Sequence, residues 1–108
     1  HARDFLIHVM QLESFKRFSL WSQHLILHTR ESLRLVAEAA GLEVEHIFGV
    51  QRYGITNHLE WLANGKPGGH RKSLKSFEDQ SLRSSYSNAL SKIDANDTLV
   101  LIARKKNS

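Results

Sequence analysis

Cysteine is missing altogether from this sequence, which excludes a disulfide scaffold and any metal site built on thiolates. That absence suits a reducing compartment, and a cytoplasmic location is the expectation. No apolar run approaches the roughly 20 residues a helix needs to cross a bilayer, so a soluble chain without a membrane partner is expected. The start, His1-Ala2-Arg3-Asp4, has no secretory-signal layout and no initiator Met. It reads as an excised domain, a proteolytic product or a tag remnant. There is no internal repeat and no low-complexity stretch.

The 108 residues suit one domain or a fraction of one, and with 41% hydrophobic and 24% charged residues a core can form. The net charge of +4 and a pI near 9.7 raise the question of a nucleic-acid partner. Much of the excess sits in Arg71-Lys72-Ser73-Leu74-Lys75 and in Arg104-Lys105-Lys106. Clusters this short also suit solvated surface and tail.

Periodicity organises the chain into four segments. Residues 5–28 hold a helix and the segment after it. Over 4–18, Phe5, Val9 and Leu12 share a helical stripe, with Leu6 and Met10 beside it. A dense aromatic stretch follows at Phe15, Phe18, Leu20 and Trp21, and His24 to His28 reads as extended chain or loop. Residues 29–50 form a helix–strand unit. Thr29 is a good N-cap, Leu33, Val36, Ala37 and Ala40 mark one face, and Gly41 can stop the helix. Then Leu42, Val44, His46, Phe48 and Val50 alternate with Glu43, Glu45 and Gln51, the period of a half-buried strand.

Residues 51–97 form a helical insertion. Asn57 and Glu60 have capping-box spacing, Leu59 and Leu62 supply apolar contacts, and Gly65 terminates that helix. Lys66 to His70, with the only proline at Pro67, must turn. Ser76 with Asp79 caps a further helix carrying Leu82, Tyr86, Ala89, Leu90 and Ile93, which Asn96-Asp97 breaks. Residues 98–105 close the chain as a strand whose Leu99 to Ala103 run is continuously apolar. Such a run indicates burial on both faces inside a sheet. Only one other good strand is present, and an isolated pair is marginal in water, so further strands are expected outside this sequence.

The order helix, glycine, alternating strand, insertion, apolar strand resembles the C-terminal end of a class I S-adenosylmethionine-dependent methyltransferase. A bacterial subgroup of that family is closer still. The likeness is carried by Phe15-Lys16-Arg17-Phe18, Trp21-Ser22-Gln23-His24-Leu25, Glu31-Ser32-Leu33 and Ala39 to Val44. It continues through Gln51-Arg52-Tyr53, Asn57-His58-Leu59 with Trp61-Leu62, and Gly65 to His70. The resemblance spans roughly 5–104. It implies an α/β fold, the C-terminal portion of a Rossmann-like methyltransferase sheet: last helix, penultimate edge strand, helical insertion and final antiparallel strand. It also implies a transferase that uses S-adenosylmethionine in the complete protein. No strand–GxGxG–helix arrangement occurs here, so no cofactor is expected in this chain alone, which should be inactive without a cofactor-binding N-terminal part of the same protein.

In open α/β sheets ligands bind beyond the carboxyl ends of the strands. Gln51, Arg52 and Tyr53 emerge there, and the resemblance places Phe15 to His28 over the same end, roofing a small-molecule acceptor pocket. His24 is the candidate base, since an imidazole titrates near neutrality; a structural histidine bonded to backbone beside Trp21 is the alternative. His24 and His28 have the spacing of zinc ligands on a helix, but the residues between them read as extended and no third ligand is evident, so no metal is expected. Candidate substrate-binding residues are Trp21, Arg52, Tyr53, His58, Trp61 and His70. Arg52 suits an anionic acceptor through its planar fork, and Tyr53 a hydrogen bond or a stacked ring. His58 and Trp61 share one side of a short helix, where plain packing also accounts for them. Gly68-Gly69-His70 permits a close approach to a ligand or is a simple turn. His8 and His46 fall on apolar stripes and read as core or boundary residues.

Two rivals stand beside the transferase reading. One is a binding module that uses its basic insertion on nucleic acid or an acidic partner. The other is a regulatory or oligomerisation domain exposing an incomplete sheet edge.

Overall fold

The computed structural model describes residues 1–20, the backbone of Trp21, and residues 26–69 and 76–106. It is an α/β arrangement of helices around a two-stranded antiparallel sheet. The elements are α1 (Glu13–Trp21), α2 (Arg30–Ala39), β1 (Leu42–Val50), α3 (Ile55–Asn64), α4 (Gln80–Lys92) and β2 (Thr98–Lys105). No described helix is long and apolar enough to cross a membrane.

The continuous helix expected over 4–18 is instead two pieces. A π-helical turn at Phe5–Val9 is capped by Asp4, whose carboxylate accepts from the amides of Leu6 and Ile7 at 2.8 and 3.3 Å. Gln11, at φ +49°, then breaks the path before α1. The wider turn rotates the stripe: Leu6 is fully buried, whereas Val9 and Met10 are nearly half exposed.

Helix α2 begins as its sequence predicts. The Thr29 hydroxyl accepts from Ser32 N at 3.1 Å, and Ser32 Oγ accepts from Thr29 N at 2.9 Å. Gly41, at φ +86°, ends it. Of the expected apolar face, Ala37 is buried and Leu33 half-buried, while Val36 and Ala40 are exposed.

Strand β1 starts in the expected phase and then changes it. A bulge between Val44 and His46 breaks the register, and one extra residue moves every later side chain to the opposite face. Leu42, Val44 and Ile47 therefore lie half-buried with Leu99, Leu101 and Ala103 of β2. His46, Phe48 and Val50 turn to the exposed face beside Ile102, so His46 is not a core histidine; His8 is exposed as well. Strand β2 does not have the two-sided burial its composition suggests. Its side chains are half-buried at best, and among the described residues no strand pairs with its edge away from β1. Arg104 belongs to this strand rather than to a free basic tail, and it pairs across to Glu43 at 3.1 Å and to Glu45 at 3.7 Å.

The insertion departs most from expectation. Asn57 does not cap α3; Gly54 is the N-cap, and both Asn57 and Glu60 lie buried inside the helix. The exposed side of α3 carries Leu59 and Leu62, while its buried side is largely polar. Gly65, at φ +66°, closes the helix as expected. Asp79, without Ser76, caps α4 by accepting from Leu82 N at 2.8 Å. Leu90 anchors α4, with Ile93 and Ala89 exposed. That helix ends earlier than Asn96-Asp97, because Asp94 adopts φ +53° and pairs with Arg30 at 2.9 Å and Arg3 at 3.4 Å.

Candidate functional site

Two short connections meet where β1 ends and β2 begins, and Asp97 joins them. One carboxylate oxygen accepts from Arg52 N at 2.9 Å and Thr98 Oγ1 at 2.9 Å. The other accepts from Arg52 N at 3.1 Å, Tyr53 N at 3.0 Å and Gln51 Nε2 at 3.0 Å. Gln51 answers with its own carbonyl, which accepts from Asp97 N at 3.0 Å. The main chain of Arg52 is held on its other side too, since its carbonyl accepts from Arg83 Nη2 at 2.9 Å.

Asp97's bonds fix part of the lining of a cavity of about 830 Å³, within the roughly 300–1,000 Å³ range usual for small-molecule sites. Its apolar wall comes from Phe15 and Phe18 of α1, Trp61 of α3, Leu33 of α2 and Leu99 of β2. Trp61 is 3% exposed and packs edge-on to Phe15 at 5.0 Å and tilted to Phe18 at 5.1 Å. That trio pins α1 on α3. The polar lining includes Asp4, His28, Arg52, Tyr53, Asn57 and Asp97. Asn57 Oδ1 accepts from Gly68 N at 3.3 Å, so the turn after α3 folds back onto the helix. Gly68 takes φ +97° there. Gly69 fits so tightly that a Cβ would stand 2.0 Å from the Thr56 carbonyl oxygen. The Gly68-Gly69 pair thus closes a turn onto α3, and Gly68 also lines the cavity.

His58 is not in the cavity. It is 3% exposed, stacked on Phe5 with ring centroids 5.7 Å apart, and hydrogen-bonded through Nδ1 to Tyr86 Oη. Gln51 Nε2 lies 3.4 Å from His58 Nε2. The two hydrogens of Gln51 Nε2 go to Tyr53 O at 2.7 Å and Asp97 Oδ2 at 3.0 Å, so the 3.4 Å contact does not fix the His58 tautomer. Burial pushes the His58 imidazole down to about 4, against the opposing pull of Asp97 and Glu78. Burial likewise raises the Tyr86 phenol to about 12, with Asp4 adding to the effect. His58 is therefore a neutral packing residue rather than a ligand contact.

Asp4 is the second acid of the site and, unlike the half-buried Asp97, is 3% exposed. Loss of solvent raises its carboxyl to about 6, although the Leu6 and Ile7 amides draw it down. His28 lies half-buried on the cavity wall with Nδ1 3.0 Å from Ser32 Oγ.

Of the residues expected at an acceptor site, Arg52, Tyr53 and Trp61 meet in this cavity, and His58 sits behind it. His24 and His70 lie outside the described residues, as does the side chain of Trp21. Sequence reasoning missed Asp4, Asn57, Glu78 and Asp97. Asn57 read as a cap and Asp97 as a helix breaker, both being residue types whose local backbone roles hide a tertiary one. Among the described residues no group of three or more His, Asp or Glu side chains could hold a metal ion. No family model matches the chain, and neither a curated protein nor a solved structure does.

Proposed function

We propose that this chain is the acceptor-side, C-terminal part of a class I S-adenosylmethionine-dependent methyltransferase. One observation carries the reading. The residues behind the resemblance come from three separate stretches (Phe15 and Phe18; Arg52, Tyr53, Asn57 and Trp61; Pro67 and Gly68), and they converge on a single cavity. The cavity lies at the carboxyl end of β1, where α/β sheets place their ligands. The antiparallel β1–β2 pair, whose outer β2 edge pairs with no strand among the described residues, is compatible with the last two strands of such a sheet.

The described residues do not fit the methyl donor. Among them only β1 to α3 runs from strand to helix, and the α3 N-terminus is already occupied by Glu78, which accepts from Thr56 N at 3.2 Å. The donor would bind a further part of the same protein. This chain would hold the acceptor against it: aromatic walls exclude water, and Arg52 orients the substrate for in-line displacement at the methyl carbon. His24 remains the candidate base.

The test is made on the complete encoded protein. It should bind S-adenosylmethionine, and Arg52→Ala should lower methyl transfer while donor affinity and melting temperature stay unchanged. Equal transfer by the variant would remove the site assignment. Micromolar donor binding by these 108 residues alone would overturn the division between the two parts.

A further inference from the structure

We infer that the cavity takes a carboxylate-bearing small molecule with an apolar, ring-sized body, because its only described side-chain charge lacking a partner is the guanidinium of Arg52. The inference rests on the acceptor-site reading and names the substrate class for it.

Asp97 is spent: both oxygens already accept from backbone amides, Gln51 and Thr98. Asp4 accepts from two amides of the turn that it caps through Oδ1 alone, which leaves Oδ2 open to a donor. A cationic ligand at Asp97 would have to displace the bonds made there. Unpaired side-chain donors among the described lining residues outnumber the single Asp4 oxygen. The Arg52 guanidinium forms no hydrogen bond or ion pair with the described residues, although its main chain is fixed on both sides by Asp97 and Arg83. Asn57 is 4% exposed and lines the cavity; its Oδ1 is used by Gly68, which leaves Nδ2 without a partner among the described residues.

Asn57 Nδ2 is not sealed from solvent and can donate to a ligand, and a planar guanidinium matches a carboxylate two oxygens at a time. Phe15, Phe18, Trp61, Leu33 and Leu99 offer apolar surface to the body of the ligand, beside the polar side chains of Ser19, His28, Tyr53 and Thr98. Aromatic walls also attract cations, so an amine with the same body is the rival ligand.

Three probes sharing one ring system decide between them: 2-naphthoate, 2-naphthamide and 2-naphthylmethylamine, titrated calorimetrically into the complete encoded protein without donor. The expected result is binding of the naphthoate, about tenfold or more tighter than either isostere. Arg52→Ala should remove that preference and Arg52→Lys should keep part of it. Asn57→Asp retains the acceptor for Gly68 but presents an acid in place of Nδ2, so it should weaken naphthoate and favour the amine. Equal affinity for naphthoate and naphthamide, tightest binding of the amine, no binding of any probe, or naphthoate affinity unchanged in Arg52→Ala would each overturn the inference. A parallel titration with S-adenosylmethionine separates the two claims. Donor binding without charge preference removes this inference alone. Charge preference without donor binding removes the transferase reading and leaves the anion site standing.

Discussion

The carboxylate of Glu78 occupies the space that a side chain on Gly54 would need: a Cβ built there stands 2.0 Å from Glu78 Oε1. Gly54 is the N-cap of α3 and offers no side-chain acceptor, so the first-turn amide of Thr56 is satisfied from 22 residues further along the chain. A glycine at that position looks like a weak cap only when read locally. In three dimensions it makes room for a stronger, charged one, which Arg83 steadies at 3.6 Å.

Gly54→Ala should therefore lower stability by about 1–2 kcal/mol, the usual worth of a helix cap, although the exchange reduces backbone freedom in the unfolded chain. Urea denaturation of the variant beside Glu78→Ala checks it. The two losses should overlap, with the double variant little worse than either single one. Additive losses would show that Glu78 and Gly54 act independently.

Asp97 gives a second expectation. Replacing it with Asn leaves one acceptor oxygen where two served Gln51, Arg52, Tyr53 and Thr98. The expected cost is about 2–3 kcal/mol, because two or more amides lose a charged acceptor. Thr98→Val removes a single bond and should cost about 1 kcal/mol. Hydrogen exchange localises the effect: the amides of Arg52 and Tyr53 should exchange faster in Asp97→Asn. Unaltered protection at both would show that the carboxylate does not hold the chain at Arg52 and Tyr53.

Much of the element order was legible because it is written in short-range chemistry. Thr29, Gly41, Gly65 and Asp79 mark helix ends through bonds to near neighbours, and each does so in the structure. The phase of β1 was not legible beyond Val44, because a bulge depends on pairing with β2 and leaves no local mark at Glu45. The buried polar face of α3 was hidden for a similar reason. Asn57, His58 and Glu60 are interior because Gly68, Tyr86 and Asn64 satisfy them, and those partners arrive from elsewhere in the chain or from a later turn. Arg52, Tyr53 and Trp61 could be named from motif resemblance, but the acids that define the site's charge could not.

Ser14 supplies a third expectation, of the opposite sign. Its hydroxyl is buried without a hydrogen-bond partner among the described residues, near the point where a Cβ on Gly65 would stand 3.4 Å away. Ser14 lies in the first turn of α1, where alanine is also the better helix former. Ser14→Ala should raise stability by about 0.5–1.5 kcal/mol. A lower denaturation midpoint in the variant would show that the hydroxyl has an acceptor in solution.

Asp4 and His58 should pull stability in opposite directions across the same pH window. Asp4 is raised from 3.8 to about 6, so the folded state holds its proton more tightly than the unfolded state does. Its penalty is complete above about pH 6 and is relieved as pH falls toward 4, a gain of up to about 3 kcal/mol. His58 is lowered from 6.5 to about 4, so the unfolded state takes up the proton first. Stability from its burial is complete above pH 6.5 and is lost as pH falls toward 4, by a similar amount. The wild-type chain should consequently show a shallow dependence between pH 6.5 and 4, as far as these two groups set it. Asp4→Asn keeps an acceptor for Leu6 N and unmasks the histidine, so that variant should lose stability on acidification. His58→Gln unmasks the acid and should gain it. Thermal melts of the three proteins at half-unit pH steps measure both slopes. Parallel curves for all three would show that neither group titrates out of its ordinary range.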